Sequence, residues 1–241
     1  MEPAAMDPED ETALLEQHAD VLFAMDATSR LTSLNEPDAE GAPRLFLARG
    51  RTSMRIWLGT DVPRAMGDAC RALVADLPLW DGCEPDGSLF EPLRAALSAE
   101  TPVTAETRGP AFRFGPRVEV PHVADPVIVD GASAHLLERF FPYTRSVLAW
   151  RAPVVGVVVD GAIVSACYTA RHRPAACEAG VATEEAYRGR GFGALVVSAW
   201  CDAVQREGRR PLYSTTWDNE ASRAIARTLG LIPYADTLAL T

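Results

Sequence analysis

Apolar residues recur along the chain in two rhythms, one near every third or fourth residue and one at every second residue or in short unbroken runs. From Thr12 to about Met25, Leu14, Leu15, Val21, Leu22 and Phe23 predict a helix. Arg44–Ala48 and Met54–Leu58 flank Arg49-Gly50-Arg51-Thr52-Ser53 and predict a hairpin. Pro63 to about Leu77 has helical spacing through Ala65, Met66, Cys70, Leu73 and Val74, and Leu89–Leu97 predicts a further short helix. Residues 100–124 contain four prolines and weak periodicity, which marks a domain boundary. The second half is more regular. Pro126–Val129 reads as a strand and Gly131–Phe141 as a helix. Val154–Val159 and Ala162–Tyr168 are β-rich runs joined by Asp160-Gly161, the two-residue turn that suits strand twist. Glu178–Thr183 reads as a strand, and Gly191 to about Arg206 as a helix with Phe192, Leu195, Val196, Ala199, Trp200, Ala203 and Val204 on one face. Leu212–Trp217 then reads as a strand, Asn219–Leu229 as a helix stopped by Gly230, and Tyr234–Leu240 as a last strand. This order predicts an α/β (mixed α+β) protein, with a mixed central sheet flanked by helices and a smaller N-terminal helix/strand domain. The expected division is an acidic tail at 1–10, the N-terminal domain at 11–120 and the second domain at 121–241.

Charge changes this picture by its distribution. The 241 residues hold 23 basic side chains, every one an arginine, against 33 acids, for a net charge of −10. Residues 1–40 hold eleven acids and only Arg30, whereas 41–241 hold 22 of each. An isoelectric point near 4.9 lacks the basic footprint of a nucleic-acid or anionic-membrane binder. The longest apolar stretch, Ala152–Val159, is too short to span a bilayer, and the acidic start has no signal-peptide pattern. Five cysteines (Cys70, Cys83, Cys167, Cys177, Cys201) are odd in number and form no CxxC pair. They read as reduced thiols in a cytoplasmic protein, with neither a disulfide frame nor a metal site.

The chemistry concentrates in Tyr187-Arg188-Gly189-Arg190-Gly191-Phe192-Gly193-Ala194, between a predicted strand and an amphipathic helix. Its glycines allow close backbone approach to a ligand, the helix start offers unpaired N–H groups, and Arg188 and Arg190 add positive charge. This suits a phosphate or pyrophosphate; a tight turn with two solvated arginines is the plainer alternative. Gly189-x-Gly191-x-x-Ala194 also satisfies a dinucleotide fingerprint. However, Thr183–Arg188 intervenes after the strand, and fewer than fifty residues follow Ala194. A P-loop is excluded because the chain has no lysine.

Arg188-x-x-Gly191-x-Gly193 resembles the R/Q-x-x-G-x-G/A signature of the GNAT superfamily of acyl-CoA N-acyltransferases. Asp218-Asn219-Glu220-Ala221-Ser222, closing in Leu229-Gly230-Leu231, is similar to a second segment of that family. The resemblance covers roughly residues 125–241 and implies a GNAT-type sheet and direct transfer of an acetyl group from acetyl-CoA to an amine. It implies that backbone groups of Val181, Ala182 and Thr183 pair with the pantetheine arm. Arg188, Gly189, Arg190, Gly191, Phe192, Gly193 and Ala194 would hold the pyrophosphate, and Asn219 and Ser222 would touch the arm. Glu178, on the strand ahead of the loop, is the candidate general base, and pairing with Arg171 or Arg173 is its structural alternative; His135 and His172 are lesser candidates.

The resemblance breaks where many members place a tyrosine that protonates the departing thiolate, for this position is Ala226. Tyr143, Tyr168, Tyr213, Ser214 and Thr215 are the hydroxyls that could substitute. The expected partner is a small-molecule or peptide amine, without nucleic acid, membrane or metal, and a homodimer is compatible with the sequence. A CoA-binding sensor that has lost catalysis is the alternative of a different class, with a dinucleotide-binding domain behind it.

Overall fold

The computed structural model describes residues 6–38, 41–115, 120 and 122–241. Residues 1–5 of the expected tail, and 116–119 and 121 of the expected boundary segment, lie outside the described residues. Chain order runs α1 (Pro8–Leu22), β1 (Phe23–Met25), β2 (Leu31–Leu34), β3 (Leu45–Arg49), β4 (Met54–Leu58), α2 (Arg64–Ala75), α3 (Glu91–Ser98) and β5 (Glu106–Arg113). It continues with β6 (Val127–Val129), α4 (Pro142–Ser146), α5 (Leu148–Arg151), β7 (Val154–Val159), β8 (Ala162–His172) and β9 (Ala176–Thr183). It ends with α6 (Phe192–Arg206), β10 (Arg210–Ser214), α7 (Glu220–Thr228) and β11 (Ile232–Leu240). Two compact units result: the described residues of Met1–Phe112 with Ser214–Asn219 and Pro233–Thr241, and Arg113–Tyr213 with Glu220–Ile232.

In the first unit the strand order is β4-β3-β11-β5. The expected hairpin forms, with Leu45 opposite Leu58 and Arg49 opposite Met54. All five residues of β3 are buried because both faces are covered. Leu45, Leu47, Leu238 and Leu240 pack with Cys70 and Val74 of α2 and Leu93 and Leu97 of α3. On the other face Phe46 meets His18 of α1 edge to face. Glu11 of α1, 3% exposed, closes the hairpin turn: its carboxylate accepts from the N–H groups of Arg51, Thr52 and Ser53 and from the Thr52 hydroxyl. The core also holds a charge cluster. Arg49 donates to Asp236 at 3.0 Å and to the Pro78 carbonyl, and the Trp217 indole donates to Asp236 at 2.9 Å.

Several expectations in this half are corrected. The first helix begins at Pro8, within the expected tail, because Asp7 caps it and proline suits a first helical position. It ends at Leu22 rather than Met25, and Phe23–Met25 instead pairs antiparallel with Leu31–Leu34. The proline-bearing stretch contains β5, whose sequence Thr-Arg-Gly-Pro-Ala hides the strand. Gly109 is required there, since a Cβ would lie 1.7 Å from the Thr215 carbonyl oxygen.

The second unit is a mixed sheet in the order β10-β9-β8-β7-β6, antiparallel from β6 to β9 and parallel between β9 and β10. The β7–β8 turn forms at Asp160 and Gly161, with φ values of 49° and 76°. One sheet face meets α6, where the Trp200 indole donates to the buried Thr169 hydroxyl at 3.2 Å. A second cluster gathers Val129, Leu137, Val154, Ile163 and Ala166 with Leu148 and Tyr168. The helix expected over Gly131–Phe141 is replaced by a 3₁₀ turn at Ala134–Leu137, followed by α4 and α5. Asp130 and Ser133 bond each other reciprocally at 2.9 Å, and Phe141, ahead of Pro142, leaves helical geometry. The expected strand Leu212–Trp217 is shifted to Arg210–Ser214.

Candidate active site

β9 has one continuous neighbour and one brief one. β8 follows it from His172↔Cys177 to Ser165↔Thr183. β10 matches only Ala176, Cys177 and Glu178, the last opposite Leu212. From Ala179 to Thr183, β9 therefore runs beyond its register with β10. Antiparallel backbone groups alternate between the two edges. The Glu184 N–H donates to the Val164 carbonyl at 2.8 Å, so Ala182 and Gly180 also turn toward β8, whereas Val181 and Thr183 turn toward the side that β10 leaves. The Thr183 carbonyl on that side accepts from Arg188 Nε at 3.2 Å.

Side chains divide the strand by face. Cys177, Ala179, Val181 and Thr183 point toward α6, and the Thr183 hydroxyl lies 2.8 Å from that of Ser165. Glu178 and Gly180 face the other way, opposite Arg171 and Tyr168 respectively. A Cβ at Gly180 would lie 2.4 Å from the Tyr168 ring, which covers this glycine closely. The Arg151 guanidinium sits over Tyr168 at 4.9 Å and donates to the Ala170 carbonyl at 2.9 Å. Glu178 is 3% exposed, so this carboxylate is buried where β10 departs.

The glycine loop follows. Gly189 and Gly191 take φ values of 76° and 79°, in the left-handed region that glycine enters without strain. Gly191 is the N-cap of α6 and no side chain caps the helix, so the first-turn N–H groups are not claimed by a capping side chain. Gly193 abuts α7: a Cβ there would lie 2.9 Å from Ile225 Cδ1. Arg188 and Arg190 are held by the carbonyls of Thr183 and Ala186, and Arg190 also lies over the Tyr187 ring. Phe192 and Ala194 are buried and anchor the helix start.

The remaining candidates are spread more widely. Ser222 stands in the second unit, with its hydroxyl 2.6 Å from that of Tyr213. Asn219 is exposed, belongs to the first unit and donates its N–H to the Thr216 carbonyl. Ala226 is buried, four residues and so one turn beyond Ser222. His172 packs on Trp150 at 4.5 Å, and burial with Arg209 and Arg173 lowers its pKa. His135 is exposed and bonds the Ala132 carbonyl. Burial pushes the Cys177 thiol up to about 12 and raises Cys167 as well, which leaves both poor nucleophiles. Burial likewise pushes Tyr213 up to about 12, against the Ser222 hydrogen bond. The Tyr213–Ser222 contact escaped sequence reasoning, because only the fold brings β10 against α7. Among the described residues no group of three His, Cys, Asp or Glu could hold a metal ion, and no helix is long and apolar enough to cross a membrane.

In this mixed sheet β9 continues past its parallel neighbour β10 and leads into a helix opened by glycine. Residues 138–236 match the family model of the GNAT acetyltransferases, and this stretch is a GNAT acetyltransferase domain. No curated protein matches the chain. Among solved structures, a GNAT-family acetyltransferase from Colwellia psychrerythraea aligns over 98% of this chain and 97% of its own, with 10% identity and a TM-score of 0.50. That likeness concerns the fold. A GCN5-related N-acetyltransferase-like protein from Streptococcus suis aligns over 83% and 85%, with 16% identity and a TM-score of 0.46. A structure assigned to the GNAT acetyltransferases, from Novosphingobium aromaticivorans, aligns over 57% of this chain and 65% of its own, with 19% identity and a TM-score of 0.46. The match thus spans just under two thirds of that last protein.

Proposed function

We propose that this protein transfers an acetyl group from acetyl-CoA directly to the amine of a small molecule or peptide. The observation that carries the reading is the end of β10 pairing at Glu178, with the outward edge of Val181 and Thr183 leading to an α6 that opens on a left-handed glycine. The residues present fit the ligand. The first-turn N–H groups of α6 and the Arg188 and Arg190 guanidinium groups suit a pyrophosphate. The Val181 backbone suits the amides of an extended arm laid against the strand edge. Acetyl-CoA supplies the activated acyl group as a thioester.

Glu178 supplies the base. An attacking amine must lose a proton, and this buried carboxylate sits at the fork between β9 and β10 to receive it at an Oε atom. A backbone N–H of the outward edge donates to the oxygen that gains charge during attack. The acceptor binds on the Glu178 face, which also carries Tyr168 and Arg171. The sensor reading draws on Ala226, a methyl group where a hydroxyl would serve.

Calorimetry with acetyl-CoA, CoA and NAD tests the reading. Binding of the first two but not the third is expected, and no heat or thermal shift with millimolar acetyl-CoA would overturn it. Free thiol released over a panel of polyamines, amino acids, aminoglycosides and peptide N-termini then separates transferase from sensor.

A further inference from the structure

We propose that the acceptor is a free α-amino acid, and that Arg171 is the specificity-determining residue that takes its carboxylate while its amine stands at Glu178. The inference rests on the transferase reading above and names its acceptor class.

Three observations meet on one sheet face. Arg171 is paired with Glu178 across β8 and β9, so their Cβ atoms stand about 4.5–5.5 Å apart and their side chains leave the sheet together. Tyr168, three residues before Arg171, shares that face only because the register shift at Ala170 adds one residue to β8. The face therefore presents Tyr168 and Arg171 from β8 beside Gly180 and Glu178 from β9. Glu178 is buried and Arg171 half-buried, so the guanidinium stands at the more open side of the pair. Among the described residues of the second unit, the buried charged side chains are Glu178 and Arg151, one of each sign. Arg151 lies over the half-buried Tyr168 ring at 4.9 Å and over the exposed Tyr143 ring at 5.6 Å, and so backs the aromatic wall beside the pair with positive charge.

An amine acceptor reaches Glu178 as an ammonium group. A simple amine sets that cation beside the Arg171 guanidinium, so one carboxylate must serve two cations. An α-amino acid carries its own carboxylate on the same carbon as its amine. Its ammonium then stands at Glu178, and its carboxylate faces the planar fork of Arg171, which matches it with two parallel N–H donors. Both side chains keep a partner of opposite charge, whatever partners they hold in the free protein. A diamine or an aminoglycoside brings further cations toward Arg171 and Arg151 and is rejected on the same ground. A peptide N-terminus has an amide where the carboxylate would be. The chemical step is the one proposed above. The ammonium releases one proton to water, the neutral nitrogen bonds to the acetyl carbon, its next proton goes to Glu178, and sulfur leaves with the electron pair of the broken bond.

The test is a matched series of acceptors on the wild type. Thiol release from acetyl-CoA is measured with each standard amino acid, its amide, and the amine left when its carboxylate is removed, with spermidine and an aminoglycoside alongside. At least one amino acid is expected to exceed its own amide and amine in kcat/KM by roughly 10- to 150-fold, the ratio for one charge-assisted hydrogen bond. Arg171→Gln is expected to bring that acid-to-amine ratio within about threefold of one, mainly through KM for the acid, and Arg171→Lys to keep part of it. Amides or amines used as well as the acids by the wild type overturn the inference without any variant. So does a polyamine or aminoglycoside preferred to every amino acid, and in both cases the transferase reading stands. An acid-to-amine ratio that Arg171→Gln leaves unmoved marks Arg171 as merely structural and overturns its role. Acetyl-CoA binding without turnover on any amine, or no binding at all, instead overturns the transferase reading, and this inference with it.

Discussion

Two glycines bracket α6 and provide a matched perturbation of the loop. Gly191, with φ 79°, opens the helix, and Gly208, with φ 75°, follows its end. A Cβ at Gly208 meets nothing within 4 Å, and one at Gly191 meets only Val123 at 3.7 Å, an ordinary contact. Gly191→Val and Gly208→Val therefore carry the same penalty, which is backbone strain. A left-handed residue with a side chain costs about 1–2 kcal/mol, which lowers Tm by about 2–8 °C at this size. The two variants should melt within a few degrees of each other, below the wild type.

Ligand binding should separate them. Strain at Gly191 is relieved by rotating the first turn of α6, which turns N–H groups away from a bound pyrophosphate. Loss of one such charge-assisted hydrogen bond costs about 1.5–3 kcal/mol, or roughly 10- to 150-fold in Kd for acetyl-CoA. Strain at Gly208 acts at the other end of α6 and leaves those groups in place. Calorimetric Kd values at one salt concentration, with Tm as the check on folding, decide the matter. If Gly191→Val binds acetyl-CoA within about threefold of Gly208→Val, the assignment of the α6 N-terminus to the phosphates is wrong.

Three further outcomes are expected. Glu178→Gln should slow thiol release about 100-fold or more while acetyl-CoA affinity is kept, and an unchanged pH–rate profile would remove Glu178 as the base. Glu11→Gln should cost about 1–3 kcal/mol in urea denaturation, since the amide oxygen can replace only one of the two accepting oxygens and the NH2 group must face either the Arg51 N–H or those of Thr52 and Ser53; a loss under about 0.5 kcal/mol would show that water replaces the clamp. Burial raises the pKa of Asp236 above its ordinary value despite Arg49 and Trp217, so the native state binds this proton more tightly than the unfolded chain does. Its contribution is full below the unfolded value and is lost as pH rises through the native one, so wild-type stability relative to Asp236→Asn should fall as pH rises above about 4, the ordinary carboxylate value; a constant difference would contradict the raised pKa.

Local signals made much of the second unit legible. The Asp160-Gly161 hairpin, β9, the apolar face of α6 and the left-handed glycines all follow from neighbours in sequence, and all are present. What stayed hidden depends on distant partners. β5 reads as a loop because Gly109-Pro110 opposes strand propensity, yet the glycine is needed for the close approach of Thr215. Glu11 looks like one more acid of an acidic end, but the β3–β4 turn makes it a buried clamp. Asn219 and Ser222 read as one segment, although the fold assigns them to different compact units. Tyr213 and Ser222 were separate candidates nine residues apart, and nothing in their spacing indicates a 2.6 Å contact.

The charge of the loop follows from how its arginines are held. Residues 141–241 carry eleven arginines against nine acids, a margin too small to attract an anion by itself. Placement matters more. Arg188 and Arg190 are fixed by carbonyl oxygens of Thr183 and Ala186, and a carbonyl orients a guanidinium without cancelling its charge, as a carboxylate would. Their charge therefore adds to the dipole of α6 at the end where its N–H groups are exposed. From Glu178 to Thr183, β9 covers roughly 16 Å at strand rise, so the base and the phosphate site we propose stand at opposite ends of one strand segment. A ligand that engages both must place its reacting group at the fork and its phosphates at the helix, with an extended arm between them. Acetyl-CoA, the co-substrate we propose, has both the length and the charge for this, and a short thioester lacks the phosphates.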